Sequence, residues 1–375
     1  MAGALAGVRV IEMNAIGPAP FATLLLADMG AEVIRIDRQQ SGFLNGDDSV
    51  IGRGRRSLAI DPRKPGATEV LLQLIDSADI LVEGFRPGVM ERLGLGPDVC
   101  QARNPKLVYG RMTGWGQSGP LAQSAGHDLN YLAITGALHA MGHADQAPTP
   151  PLHLVGDMGG GAMFLAFGVV TALFEAQRSG KGQVVDAAIS DGVALLSTMY
   201  YEFQQNGQWG ERGQNLFDGA APFYGCYTCA DGRFISIGAI EPQFYQCLLE
   251  RCEIDDPLFK AQWDRSLWPA QRAKLETLFR SRSRDQWCQL LEGSEACFAP
   301  VLDFSEAPAY AHNQARGTFM HSAGVTHPAP APRLSRTPAQ AGEKVRNGQH
   351  SVQILRELGL DEVQIAALRE AGAIA

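Results

Sequence analysis

Val8-Arg-Val-Ile-Glu-Met13, the loop Asn14-Ala-Ile-Gly-Pro-Ala-Pro20, the apolar run from Phe21 to Gly30, and Glu32-Val-Ile-Arg-Ile-Asp37 form one nearly continuous stretch. The first and last pieces are short, rich in β-branched residues and apolar enough to be buried strands. Residues 21–29 read as a helix, and Gly30 supplies the residue past its end. Strand, helix and strand at this spacing make a βαβ unit, which imposes a parallel sheet with a right-handed crossover. The arrangement superficially matches a dinucleotide site, with Asp37 closing the second strand. The fingerprint is missing, however, because Gly17-Pro-Ala-Pro lacks the three spaced glycines that bring backbone to a pyrophosphate.

The alternation continues outward. Strands are predicted at 58–61, 79–83, 107–112 and 184–188, with helices at 67–77, 89–93 and over a long apolar run, 158–178. Ligands of open α/β sheets gather at the carboxyl ends of the strands. Arg38 follows the second strand directly, and Arg86 and Arg92 follow the strand at 79–83. Gly52-Arg-Gly-Arg-Arg-Ser57 places three arginines among glycines before a strand. A solvated loop and a phosphate-binding loop both fit that pattern. Thr113-Gly-Trp-Gly-Gln-Ser-Gly-Pro120 reads as a loop whose backbone approaches something closely, or as plain surface.

Beyond residue 190 the pattern changes. A helix over 191–206 has no returning parallel strand, and 207–219 is polar and irregular, as a crossing linker would be. Asp231-Gly232 turns a β-hairpin between 224–228 and 233–238. Pro242 opens a helix after Glu241. Helices carrying Trp263, Trp268 and Trp287 follow, and the small α+β portion ends near Asp303 and Glu306. The tail holds an extended proline-rich piece, 328–332, and a last helix over 361–371 capped by Asp361. The domains read as 1–190 (large), 191–222 (linker), 223–310 (small) and 311–375 (return linker and the remainder of the large domain).

The chain has 375 residues, 45% hydrophobic and 19% charged, which suits a two-domain globular protein. A formal net charge of −8 argues against bulk nucleic-acid binding and against an anionic membrane surface. Seven cysteines form no framework, which suits a reducing compartment. Cys226 and Cys229 lie in a strand-like run without the partners a zinc or redox site needs, so no metal is expected. Apolar stretches read as broken well short of a membrane span, and neither a signal peptide nor a peroxisomal address is evident. A cytoplasmic location is the expectation.

Two polar points stand out. His127 precedes a helix predicted over 128–140, where a histidine is ordinarily a cap or surface residue. Asp157 precedes the long apolar helix, where it is ordinarily the N-cap. Gly159, Gly160 and Gly161 in the first turns of that helix cost about 1 kcal/mol each against alanine. Such a run is tolerated where another helix or a ligand packs close.

The chain resembles the third class of CoA transferases, and within it the α-methylacyl-CoA racemases. The likeness is carried by Gly17-Pro-Ala-Pro, Arg35-Ile-Asp-Arg38, Gly52-Arg-Gly-Arg-Arg-Ser-Leu58, Gly84-Phe-Arg-Pro-Gly-Val89, Gly114-Trp-Gly-Gln117, Ala125-Gly-His-Asp-Leu-Asn-Tyr131, Gly156-Asp157, Gly180-Lys-Gly-Gln183 and Gly238-Ala-Ile-Glu-Pro-Gln243. It implies an α/β fold: a Rossmann-like parallel-sheet large domain, a smaller α+β domain and two crossing linkers, with two subunits interlocked as rings. It also implies that His127 and Asp157 are the two catalytic bases and that Glu241 supports the histidine from the partner subunit. His153, four residues before Asp157, departs from the asparagine often found there.

What the resemblance implies chemically follows from racemisation itself. An α-proton leaves one face and another returns to the opposite face, so two acid–base groups must flank an enolate. The backbone N–H of Asp128 is the candidate donor to the enolate oxygen. Arg38, Arg86 and Arg92 would hold the phosphates of CoA, and Ala59, Ile60 and Asp61 would flank its adenine. Gly84, Gly126, Leu129, Asn130 and Tyr131 complete the expected CoA contacts. Met112, Met158, Met163 and Met199 could form an adaptable acyl surface or be ordinary core. CoA is part of the substrate, and no cofactor is expected. Two rival readings use the same residues: CoA transfer between acids with Asp157 as nucleophile, and a non-catalytic CoA sensor.

Overall fold

The structure is a computed structural model that describes residues 3–38, 49–322 and 324–374. In chain order the first elements are β1 (Arg9–Met13), α1 (Pro18–Asp28), β2 (Glu32–Asp37), β3 (Arg55–Ala59), α2 (Ala67–Asp76), β4 (Ile80–Glu83), α3 (Val89–Arg92), α4 (Pro97–Arg103), β5 (Val108–Thr113), α5 (Asp128–Ala133) and α6 (Ala137–Ala140). A wide helical segment, Leu154–Ala162, then runs straight into α7 (Met163–Ser179), followed by β6 (Val184–Ala188), α8 (Ile189–Leu196) and α9 (Thr198–Gln205). The remainder holds β7 (Tyr224–Thr228), β8 (Phe234–Gly238), α10 (Pro242–Arg251), α11 (Trp268–Phe279), α12 (Arg284–Leu291), β9 (Phe298–Val301), α13 (Ala311–Arg316), β10 (Phe319–Ser322), β11 (Val325–Pro328), α14 (Ser351–Glu357) and α15 (Glu362–Glu370).

The chain forms two compact units. The first comprises Met1–Ala137, Pro151–Ser197 and Met320–Ala375; the second comprises Leu138–Pro150 and Thr198–Phe319. Six strands of the first unit pair in the order β3-β2-β1-β4-β5-β6, all parallel. The βαβ reading of residues 8–37 thus extends to a whole doubly wound sheet. Its order reverses between β1 and β4, and that is where such sheets open a crevice beyond their carboxyl ends.

Side chains alternate across each strand. Ile11, Ile34, Leu58 and Leu81 face a core completed by Leu71, Leu74 and Ile75 of α2 and by Leu355 and Leu368 of the last two helices. On the opposite face Arg55 bonds the Pro20 carbonyl and Thr23 Oγ1 of α1, and Gly110 of β5 leaves room for Val169 and Leu165 of α7.

The second unit is an antiparallel sheet, β7-β8-β9, with helices around an aromatic core of Phe223, Tyr227, Trp268, Phe279 and Trp287. The buried indoles of Trp268 and Trp287 donate to the Gln262 and Phe279 carbonyls, at 2.8 and 2.9 Å. Trp263, expected in a helix, lies in a turn and is mostly exposed. Residues 138–150 belong to this unit, and Arg212 ties them down by donating to the carbonyls of His139, His143 and Gln146.

Candidate active site

Leu154–Ala162 is a π-helical segment, in which the Met158 N–H reaches back five residues to the His153 carbonyl at 3.2 Å. Asp157 therefore sits within a helical turn and is not the cap expected from the sequence. Wide turns of this kind need close neighbours, and the glycines supply them. A side chain at Gly160 would strike Val193 of α8, and one at Gly192 would overlap the Gly160 carbonyl. A side chain at Gly156 would overlap Asp128 Oδ1 and Leu132 of α5. The glycine run is thus tolerated because α5 and α8 pack against bare backbone. Apart from Asp157 the segment and α7 carry no charge until Glu175, so the helical run Leu154–Ser179 is, by length and composition, long and apolar enough to cross a membrane. That corrects the expectation that every apolar stretch falls short of a span.

The carboxyl of Asp157 lies against the start of α1: a β-carbon built on Gly17 would be 3.1 Å from Asp157 Oδ2. A helix start ordinarily stabilises an anion through its free N–H groups. Here Pro18 and Pro20 remove two of the first three. The Asp157 N–H donates to Asp128 Oδ1 at 2.6 Å. Burial is the main cause that pushes the Asp157 carboxyl up to about 6, and the like charge of Asp128 adds to it. His153 and His127 act in the opposite direction, so both lie within electrostatic reach of Asp157.

His127 caps α5 with extended backbone and is exposed. Its N–H donates to Asn130 Oδ1 at 3.0 Å, and its carbonyl accepts the Asn130 N–H at 2.8 Å. Asn130 therefore fixes the backbone of His127. The helix expected over 128–140 is broken at 134–136, which leaves α5 as a single short turn-and-a-half behind His127. Asp128 occupies the first helical position, where a backbone N–H has no intrahelical acceptor. Tyr131 stacks edge-on against Trp115 with ring centroids 4.7 Å apart, and its hydroxyl donates to the Gly126 carbonyl. Leu129 is exposed beside them.

The remaining expected contacts fall into two groups. Arg86 and Arg92 are exposed beyond β4, and Arg86 acts electrostatically on Tyr131. Gly84 abuts Ala15 of the loop after β1, a β-carbon there lying 2.9 Å from the Ala15 methyl, so both loops meet at the switch point. Arg38 is exposed at the end of β2, and its carbonyl accepts from Asn347 Nδ2 at 2.6 Å. Around the expected adenine position the side chains are more committed. Ile60 is 1% exposed in the core, and the Ala59 N–H is bonded to Ser351 Oγ at 3.0 Å. Arg63 holds the Asp61 carboxyl down to about 2. Met112 is buried, Met158 half-buried, and Met163 and Met199 exposed. Glu241 caps α10 in the second unit and is exposed.

The three arginines of 52–57 are neither a solvated loop nor phosphate ligands. Arg55 is fully buried against Glu12 at 2.6 Å. Arg53 is buried on Asp28 at 2.6 Å and bonds His327 Nδ1 at 2.8 Å. Arg56 bridges Glu32 and Glu357, at 2.7 and 2.8 Å. Each guanidinium is committed to a carboxylate, so all three serve the fold. Cys226 and Cys229 are free thiols, and no cluster of three metal-binding side chains occurs among the described residues.

The description "CoA-transferase family III" matches residues 5–351. The chain belongs to that family. Among family III relatives, an α-methylacyl-CoA racemase of Mus musculus is 43% identical over 368 residues, covering 97% of this chain and 96% of the relative. One of Homo sapiens is 42% identical over 369 residues, with the same coverage. The crystal structure of Rv3272 from M. tuberculosis superposes with a TM-score of 0.79 at 27% identity, over 94% of this chain and 99% of that one. Two features around Asp157 are missed by the sequence reading: Gly17 as the wall beside its carboxyl, and the Asp128 carboxylate as acceptor of its N–H. The Gly156-Asp157 pair was the available signal for the second, because a bare α-carbon beside an acid marks a close approach.

Proposed function

We propose that the protein is a cytoplasmic, cofactor-independent racemase that interconverts (2R)- and (2S)-2-methylacyl-CoA thioesters by proton transfer at Cα. The observation that carries this reading is an Asp157 carboxyl that burial lifts to about 6, with the imidazole of His127, at the cap of α5, within electrostatic reach of it. A carboxyl raised in this way can hold or release a proton near neutral pH, as the acid–base exchange of a racemase requires. The similarity to two α-methylacyl-CoA racemases over 97% of the chain supports it.

For one enantiomer, neutral His127 takes the α-proton, the electron pair moves into the thioester carbonyl, and the N–H of Asp128 stabilises the enolate oxygen. Protonated Asp157 then delivers a proton to the opposite face of Cα as the carbonyl re-forms. The enzyme is left with His127 charged and Asp157 ionised, which is the form that works on the other enantiomer. Arg38, Arg86 and Arg92 meet the phosphates of CoA, and Gly84, Gly126, Leu129, Asn130 and Tyr131 line its path with the backbone near Ala59, Ile60 and Asp61. Glu241 of the partner subunit accepts from the far nitrogen of His127 within an interlocked homodimer.

The rival chemistry in this family is CoA transfer, with Asp157 attacking the thioester. One pure 2-methylacyl-CoA enantiomer, incubated with and without a free carboxylic acid and followed by chiral chromatography, separates them. The epimer is expected without any acceptor, with CoA still attached. Movement of CoA to the added acid with retention at Cα would overturn the reading.

A further inference from the structure

Asp128 has so far served only through its backbone N–H. Its side chain is placed for a second task. Asp128 Oδ1 accepts the Asp157 N–H at 2.6 Å, an approach that the missing side chain at Gly156 alone permits. In a π-helical turn this bond fixes the residue that carries the acid, since the Asp157 N–H finds an acceptor on α5. Resting on the racemase reading, we propose that the Asp128 carboxylate is a positioning residue for Asp157: it anchors the Asp157 backbone from α5 and sets a negative charge beside the acid.

A negative charge there favours the protonated form of Asp157, the one that donates to Cα. From α5 come Asp128 and Tyr131, a phenol whose own titration is pushed up by burial first and by the Asp157 charge next. His127 and His153 oppose Asp128. The start of α1 presents Gly17, Pro18 and Pro20 with no acidic side chain in its first turn. Asp191 of α8 is exposed and accepts from Ser190 Oγ at 3.4 Å. Asp128 is therefore the neighbouring charge that raises Asp157, alongside burial, the larger cause. The same side chain joins α5, which carries His127, to the segment that carries Asp157, so the two bases share one strut.

Two substitutions separate the anchoring role from the charge. Asp128→Asn keeps an oxygen that can accept the Asp157 N–H but removes the charge; Asp128→Glu keeps the charge and displaces the acceptor. Both leave the backbone N–H of residue 128 in place. The readout is the pH dependence of kcat/KM for epimerisation, alongside the thermal midpoint. Asp128→Asn is expected to move the limb set by Asp157 down by about one pH unit, which is the alkaline limb for the enantiomer that His127 deprotonates and the acid limb for the other, while Asp128→Glu keeps that limb near the wild type and lowers kcat. An Asp157 limb for Asp128→Asn that coincides with the wild type for both enantiomers, at whatever kcat, would overturn the proposal and leave Asp128 a purely structural tie. If Asp128→Asn does not fold, an Asp128→Glu profile whose Asp157 limb is displaced downwards by the same unit would overturn it as well. Failure of the racemase reading looks different: the wild type itself would then produce no epimer, so no profile could be recorded.

Discussion

An aspartic acid that must give a proton near neutral pH cannot have an ordinary carboxyl. Asp157 meets that demand mainly through burial, and this has a cost that stability measurements can read. With a folded-state value near 6 against about 3.8 unfolded, the folded protein keeps a proton between those values that the unfolded chain releases. Stability therefore falls as pH rises from about 4 to about 6, and the full penalty persists above that window. Asp157→Asn removes the penalty. The difference in thermal midpoint, variant minus wild type, should grow from pH 4 to pH 7.5, while epimerase activity is lost. A difference that is flat across this range would show that Asp157 titrates in the protein as it does in a free peptide. The sequence made Asp157 a candidate through its place before an apolar run, yet it read as a cap. The π-helical turn was not legible, because its width comes from Gly156 and Gly160 lying against α5 and α8, contacts between residues far apart in the chain.

At the level of elements, the first βαβ unit and the parallel sheet were legible because strand and helix periodicities are local properties of the sequence. The arginines at 53, 55 and 56 were not. Their partners Asp28, Glu12, Glu32 and Glu357 lie up to 301 residues away, so a cluster resembling a phosphate loop is in fact a set of ion pairs. Breaking one side of a pair as buried as Arg55 and Glu12 leaves an unpaired interior charge, which is why such residues resist replacement. Helix α7 shows the opposite mismatch. Leu165, Val169, Leu173 and Ala176 are buried against the first unit, but Met163, Phe167, Val170 and Phe174 form an apolar stripe of which Phe167 is 72% exposed. A stripe of large apolar residues on a helix this long calls for a partner surface. In the proposed homodimer that partner is a second copy. Light scattering should give twice the 40.3 kDa chain mass, and Phe167→Asp combined with Phe174→Asp should shift it towards the monomer. A wild-type protein that runs as a monomer at micromolar concentration would contradict the dimer and leave Glu241 without a route to His127.

For the molecule as a whole, an acidic chain of net charge −8 is assigned an acidic substrate. The two are compatible because the cations are local: Arg38, Arg86 and Arg92 stand exposed past the strands of the large sheet, while the other early arginines are neutralised within it. The sheet order reverses between β1 and β4, and the loops that follow these strands set Gly17 against Asp157 and Gly84 against Ala15. The central claim is that His127 and Asp157 work on opposite faces of one carbon. Two bases on two faces have an isotopic signature that a single base lacks. Each enantiomer of a 2-methylacyl-CoA should be incubated in deuterated water with the wild type, with His127→Ala and with Asp157→Ala, and the α-deuterium and configuration read by mass spectrometry and chiral chromatography. The wild type should incorporate deuterium with inversion from either enantiomer, and each variant should lose about 10²- to 10⁴-fold in epimerisation. The remaining base should still exchange the α-proton of the one enantiomer it faces, without inversion, and that enantiomer should be different for the two variants. Exchange of the same enantiomer by both variants would contradict the account.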